Sequence, residues 1–123
     1  NLFEQFLQKA GPLSVQLLGL GVNGHIAFNE PGAAFGSRTR TVELQPETIT
    51  ANSVHFDHPA LMPTHAVTQG LATIAQARLL LVLVFGASKQ EALTKALSHP
   101  DSSTPLAALA GHPDIVLITD LQC

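Results

Sequence analysis

Leu17-Leu18-Gly19-Leu20-Gly21-Val22-Asn23-Gly24-His25-Ile26-Ala27-Phe28-Asn29-Glu30-Pro31 decides how this chain is read. An aliphatic run of strand character gives way to Gly19, Gly21 and Gly24, and then to His25 and Glu30. Glycine admits backbone conformations closed to other residues and lets a ligand approach the main chain. At the carboxyl end of a parallel strand, that is where open α/β proteins hold their ligands. A histidine titrates near neutral pH, and a carboxylate beside it would fix its tautomer and raise its basicity. The segment is therefore expected to be a catalytic loop following a strand. A plain turn is the alternative, because Asn23-Gly24 is also a strong hairpin dipeptide. A dinucleotide site is not expected, since His25 follows the third glycine, and the lysine of a phosphate-binding P-loop is lacking. On these residues alone the reaction stays open.

Outward from this loop, helical and extended patterns alternate. Leu2, Phe3, Phe6, Leu7 and Ala10 share one apolar helix face, stopped by Gly11-Pro12. Residues 14–20 read as a strand, 31–39 as a loop, and 41–44 as an exposed strand. Residues 46–56 read as a helix with Pro46 and Glu47 in its first turn. A loop over 58–62 is followed, within 64–77, by a short strand and then a helix carrying Leu71, Ile74 and Ala75. The unbroken apolar run 79–85 is expected to be a central strand covered on both faces. Ser88-x-x-Glu91 predicts a capping box opening a helix to about residue 97. A short helix over 101–110, with Pro105 in its first turn, and a strand over 114–119 complete the chain. The alternation predicts an α/β fold with a mostly parallel sheet. Lys89, in the first turn of its helix, calls for an anion nearby, and a helix amino terminus at a strand's carboxyl edge suits phosphate.

Composition narrows the class. With 123 residues the chain is one domain at most. Apolar residues make up 46% and charged residues 12%, which excludes a disordered segment and implies extensive burial against further chain or partners. A net charge of −3, with six scattered Lys and Arg, argues against nucleic acid. The lone cysteine, Cys123, forms no internal disulfide, in keeping with a reducing cytoplasm. No basic stretch followed by an apolar core opens the chain, and 79–85 is too short to cross a membrane. Asn1 in place of methionine is read as a cut rather than a natural start. His55, His58 and His65 share no metal-ligand spacing, so no metal is expected.

The stretch Leu18-Gly19-Leu20-Gly21-x-Asn23-Gly24-His25-Ile26-Ala27-Phe28-Asn29-Glu30-Pro31-Gly32 resembles the signature of the glucosamine-6-phosphate deaminase (isomerase) family, which includes galactosamine-6-phosphate enzymes. Ser37-Arg38-Thr39-Arg40, Ala51-Asn52-Ser53, Pro63-x-x-Ala66-x-Thr68-x-Gly70 and Gly86-x-Ser88-Lys89 continue it across residues 3–112. Only the carboxyl-terminal half of a member is resembled. The resemblance implies a partial doubly wound, Rossmann-like, mostly parallel sheet with flanking helices, lacking the amino-terminal half, so that residues 1–123 form one α/β domain. It implies conversion of a 2-amino-2-deoxyhexose 6-phosphate to a ketose 6-phosphate and ammonia, without metal or redox cofactor.

By the same resemblance His25 protonates the sugar ring oxygen, tuned by Glu30 and Asn23, while Gly21, Gly24 and Lys89 bind substrate, Lys89 at the phosphate. Asparagine at position 23 leaves the histidine more dependent on Glu30. The general base for proton transfer from C2 to C1 belongs to the half not represented here, so this chain alone is expected to open the ring at best. Arg40 matches an allosteric position of hexameric members, but Val42 replaces a lysine there. Val54 stands where the family places a phosphate-gripping arginine. The implied partner is an amino-sugar phosphate in the cytoplasm, with no nucleic acid or membrane, and homo-oligomers occur in the family. Two alternatives are carried. A 6-phosphogluconolactonase-like hydrolase shares Gly-x-Gly-x-Asp-Gly-His but continues Ser-Leu-Phe-Pro, unlike Ala27-Phe28-Asn29-Glu30-Pro31. A non-catalytic sugar-phosphate-binding remnant is the other, and Val54 is the residue in its favour.

Overall fold

A computed structural model describes residues 1–100 and 103–123; Asp101 and Ser102, where the sequence places the start of a helix, lie outside the described residues. The elements follow the alternation of the sequence. They are α1 (Leu2–Ala10), β1 (Val15–Gly19), β2 (Arg40–Glu43), α2 (Pro46–Asn52), β3 (His65–Thr68), α3 (Leu71–Ala75), β4 (Leu79–Val84), α4 (Gln90–Ser98), α5 (Pro105–Leu109) and β5 (Ile115–Thr119). Strand β4 is the middle of a parallel sheet in the order β1-β4-β5, with Leu17 beside Leu81 and Leu81 beside Val116. Strands β2 and β3 pair antiparallel as a separate ribbon.

The core lies on one face of the parallel sheet. Leu18 and Leu20 of the first strand and its exit, and Leu80, Val82 and Val84 of β4, pack against Leu71 and Ile74 of α3, Leu93 of α4 and Leu106 of α5. Burying each such side chain contributes on the order of 1.5–3 kcal/mol. The opposite face is open. Val15 and Leu17 are 51% and 59% exposed, Val116 and Ile118 43% and 45%, and Leu79, Leu81 and Leu83 between them are half-buried. This corrects the expectation that β4 is covered on both faces. The strand is central, but among the described residues helices pack only on the side of Leu80, Val82 and Val84.

Helix α1 starts on Asn1, whose Oδ1 accepts from the Phe3 and Glu4 amides at 3.0 and 3.3 Å, and it ends at Gly11 with φ 86°. Its apolar face stays exposed at Leu2 and Phe6. Glu4 fastens it to the fold instead. That carboxylate accepts from the Thr39 amide at 2.8 Å and from the Thr39 and Thr73 hydroxyls at 2.6 Å. Those hydroxyls, Thr39 first, hold its pKa down at about 2. Two further expectations are revised. Helix α2 ends at Asn52 rather than at Phe56 and tightens into a 3-10 turn over Ser53–His55. The Ser88–Glu91 capping box does not form: a 3-10 turn over Ala87–Lys89, closed by the Lys89 amide on Gly86 O at 3.0 Å, places Ser88 ahead of the helix, which begins at Gln90.

Candidate active site

The loop after β1 folds back on itself, and glycine is what permits it. The Gly24 amide donates to Gly21 O and the Gly21 amide to His25 O, both at 2.9 Å, with Gly24 at φ 90° in the left-handed region. At Gly21 the requirement is space: a Cβ there would overlap the His25 ring, so the imidazole lies directly on the Gly21 backbone. Gly19, Gly21 and Gly24 do fall at G-x-G-x-x-G spacing, yet no helix follows them before β2. Without a helix amino terminus this turn is not a pyrophosphate cradle of the dinucleotide kind. The loop continues into a second reversal, where Ile26 and Asn29 bridge and Ala27 adopts φ 53°.

Asn23 sits between the histidine and the glutamate. Its Oδ1 accepts from the His25 backbone amide at 3.1 Å and lies 2.7 Å from His25 Nδ1, while its Nδ2 donates to Glu30 Oε2 at 2.6 Å. The carboxylate can only accept, so the amide orientation follows, and Nδ1 of the imidazole carries the hydrogen. Nε2 is left as the titrating nitrogen. Glu30 Oε2 is 3.9 Å from His25 Nδ1. The sequence expectation was that a carboxylate fixes the tautomer and raises basicity. In the structure the amide of Asn23 fixes the tautomer, and burial wins over charge. Desolvation lowers the His25 pKa below the ordinary imidazole value, Glu30 opposes this, and Lys89 adds to the lowering.

A cavity of about 540 Å³ lies beside this set, lined by Gly21, His25, Ala27, Asn52, Thr68 and Lys89 among others. Its described lining contains no aspartate or glutamate. Lys89 thus shares a cavity with His25. Gly24 does not line it: its place is the turn, against Thr104, 3.5 Å from where a Cβ would be. Arg40 is set apart as well. Its Nη1 donates to Asn29 Oδ1 at 3.0 Å and to Arg38 O at 3.3 Å, so it supports the loop from outside the cavity. Val54 is an exposed side chain on the 3-10 turn and lines no part of it.

Several contributors were given no role by the sequence reading. Asn29 is fully buried, donating to Ile26 O at 3.1 Å and Gln69 O at 2.8 Å. Thr48, on α2, donates to Glu30 Oε1 at 2.7 Å. Asn52 reaches the cavity wall from the same helix. Among the described residues no group of three or more His, Cys, Asp or Glu is placed to hold a metal ion, and no helix is long and apolar enough to cross a membrane.

Residues 1–117 match the family described as glucosamine-6-phosphate isomerases/6-phosphogluconolactonase. Glucosamine-6-phosphate deaminases of Staphylococcus haemolyticus and Rhodopirellula baltica are each 44% identical over 119 residues, which is 96% of this chain and 49% and 47% of theirs. A solved monomeric glucosamine-6-phosphate deaminase superposes with a TM-score of 0.91 at 40% identity, over 96% of this chain and 49% of that one. The 6-phosphogluconolactonase of Trypanosoma brucei is more distant, with a TM-score of 0.63 at 26% identity over 92% of this chain and 43% of that one. The chain spans about half the length of the curated relatives it matches. By sequence and by fold, then, it belongs to the glucosamine-6-phosphate isomerase/6-phosphogluconolactonase family.

Proposed function

We propose that this chain is the carboxyl-terminal half of an α/β domain that deaminates a 2-amino-2-deoxyhexose 6-phosphate with consumption of one water, giving ketose 6-phosphate and ammonia. The observation that carries the reading is the placing of His25 and Lys89 on one cavity, with Asn23 and Glu30 behind the imidazole. Lys89 supplies a cation for the phosphate. His25, held as the Nδ1–H tautomer by Asn23, gives a proton from Nε2 to the ring oxygen when charged. Its lowered pKa makes the imidazolium a stronger acid, while Glu30 keeps a fraction of it charged. The proton transfer between C2 and C1 needs a carboxylate-type base, and the described cavity lining offers none. That base is assigned to the other half of the domain, whose place is the open apolar face of the sheet, because parallel sheets are covered on both sides. Sugar phosphates are membrane-impermeant, which puts the enzyme in the cytoplasm.

Two assays separate the steps. The chain alone should accelerate anomer exchange of glucosamine 6-phosphate, read by NMR, without releasing ammonia. Supplying the amino-terminal half of a relative, fused or in trans, should restore ammonia release. Ammonia release by the chain alone would overturn this division of labour. Hydrolysis of 6-phosphogluconolactone in place of deamination would move the reading to the lactonase branch.

A further inference from the structure

Glu30 is gripped from two sides. Oε2 takes the Asn23 amide at 2.6 Å, and Oε1 takes the Thr48 hydroxyl at 2.7 Å. The first donor belongs to the same loop, but the second comes from α2, which the chain reaches only after the β2 strand. Thr48 is 2% exposed, so no competing water reaches its side chain freely. A carboxylate held at both oxygens has a fixed plane, and here that plane keeps Oε2 at 3.9 Å from His25 Nδ1. The same helix continues to Asn52, whose Nδ2 donates to Thr48 O at 2.9 Å and whose side chain belongs to a residue lining the cavity.

We infer that Thr48 is a positioning residue of the acid site: through its hydroxyl it aims the Glu30 carboxylate at the His25–Asn23 pair. This rests on the reading of His25 as the proton donor. It assigns α2 a task that its sequence does not announce, since a threonine in a first helical turn is ordinarily a packing residue. The charges facing His25 are Glu30, which favours its protonated form, and Lys89, which opposes it. Losing the Thr48 donor frees one carboxylate oxygen, lets the group turn toward solvent, and leaves Lys89 less opposed.

The test is the titration of His25 by NMR in the 123-residue chain, without substrate. Thr48→Val removes the hydroxyl at nearly constant volume, Thr48→Ser keeps it, and Glu30→Gln sets the full scale. Thr48→Val should move the His25 midpoint further down by about half a pH unit or more, in the direction of Glu30→Gln, and Thr48→Ser should restore it. Thr48→Ala removes the same donor and is read the same way should the valine variant fail to fold. A His25 midpoint unmoved by the loss of the hydroxyl, or moved equally by serine and valine, would overturn the assignment. Because no turnover is involved, failure of the deaminase reading, scored by ammonia, stays distinguishable from failure of this one.

Discussion

Gly21→Ala is the sharpest probe of the site. Its φ lies outside the left-handed region, so alanine can adopt the backbone and the whole effect is steric. The added methyl would overlap three atoms of the His25 ring, Cε1, Nδ1 and Nε2. The imidazole must therefore leave, and with it the contact to Asn23 Oδ1. Overpacking costs about 1–3 kcal/mol, offset by about 0.4–1 kcal/mol from a stiffer unfolded chain, so a net loss of ~1–2 kcal/mol is expected in urea unfolding. The titration should move the opposite way from a charge loss. Burial is the main reason His25 is depressed, and an expelled ring returns toward ~6.5. The sign in stability follows. In the native protein the unfolded chain binds this proton more readily, so stability falls as pH drops below about 6.5, down to the depressed folded value. The variant should show a weaker fall over that window. Displacing a catalytic group by about an ångström costs on the order of 100-fold in rate, so ring opening should drop accordingly. A folded Gly21→Ala protein whose His25 titrates as in the parent would refute the packing argument.

Three further outcomes are expected. Asn29→Ala removes the amide that donates to Gln69 O and accepts from Arg40, leaving Gln69 O to the Thr68 hydroxyl and Arg40 to Arg38 O, and should cost about 1–3 kcal/mol by chemical denaturation; a loss below about 0.5 kcal/mol would show the loop is held some other way. Glu4, held at a pKa of about 2, contributes stability that is present above the unfolded carboxylate value and lost as pH falls from there toward 2. Glu4→Gln should flatten thermal stability across that acid range, and an unchanged acid slope would remove Glu4 as its source. Lys89→Gln should raise the His25 midpoint, since Lys89 depresses it, and weaken binding of fructose 6-phosphate by about tenfold or more in calorimetry; equal affinity would take Lys89 out of the phosphate site.

What the sequence made legible follows from the range of the interactions involved. Periodicity and glycine-proline punctuation locate the ends of α1 and of β1, β2, β4 and β5 to within a residue or two, because those signals act over a few positions. The capping box at Ser88 failed for a local reason of its own: the backbone takes a 3-10 turn there, which separates Ser88 from the helix start by one residue too many. The apolar run of β4 announced burial but not its sidedness, which depends on what packs over each face. In the site, His25, Asn23 and Glu30 lie within one loop and were readable together. Thr48, Gln69 and Arg40 reach Glu30 and Asn29 of the loop from later positions, 11 to 40 residues away, and no spacing rule links them. Pairings of that kind are set by topology alone.

The open sheet face and the unfinished chemistry meet at the same residues. Leu17 and Gly19 sit in register with Leu81 and Leu83 on the uncovered side of the sheet, and both also line the cavity that holds His25 and Lys89. Any polypeptide that buries the exposed Val15–Leu17 edge must therefore run along the rim of that cavity. On the proposed reading, a segment that covers the face is then also placed where a base could reach the substrate. Folding stability and catalytic completeness should rise together when the complementary half is added. A cover that stabilised the sheet yet brought no carboxylate to the rim would produce a sugar-phosphate binder that opens rings and goes no further.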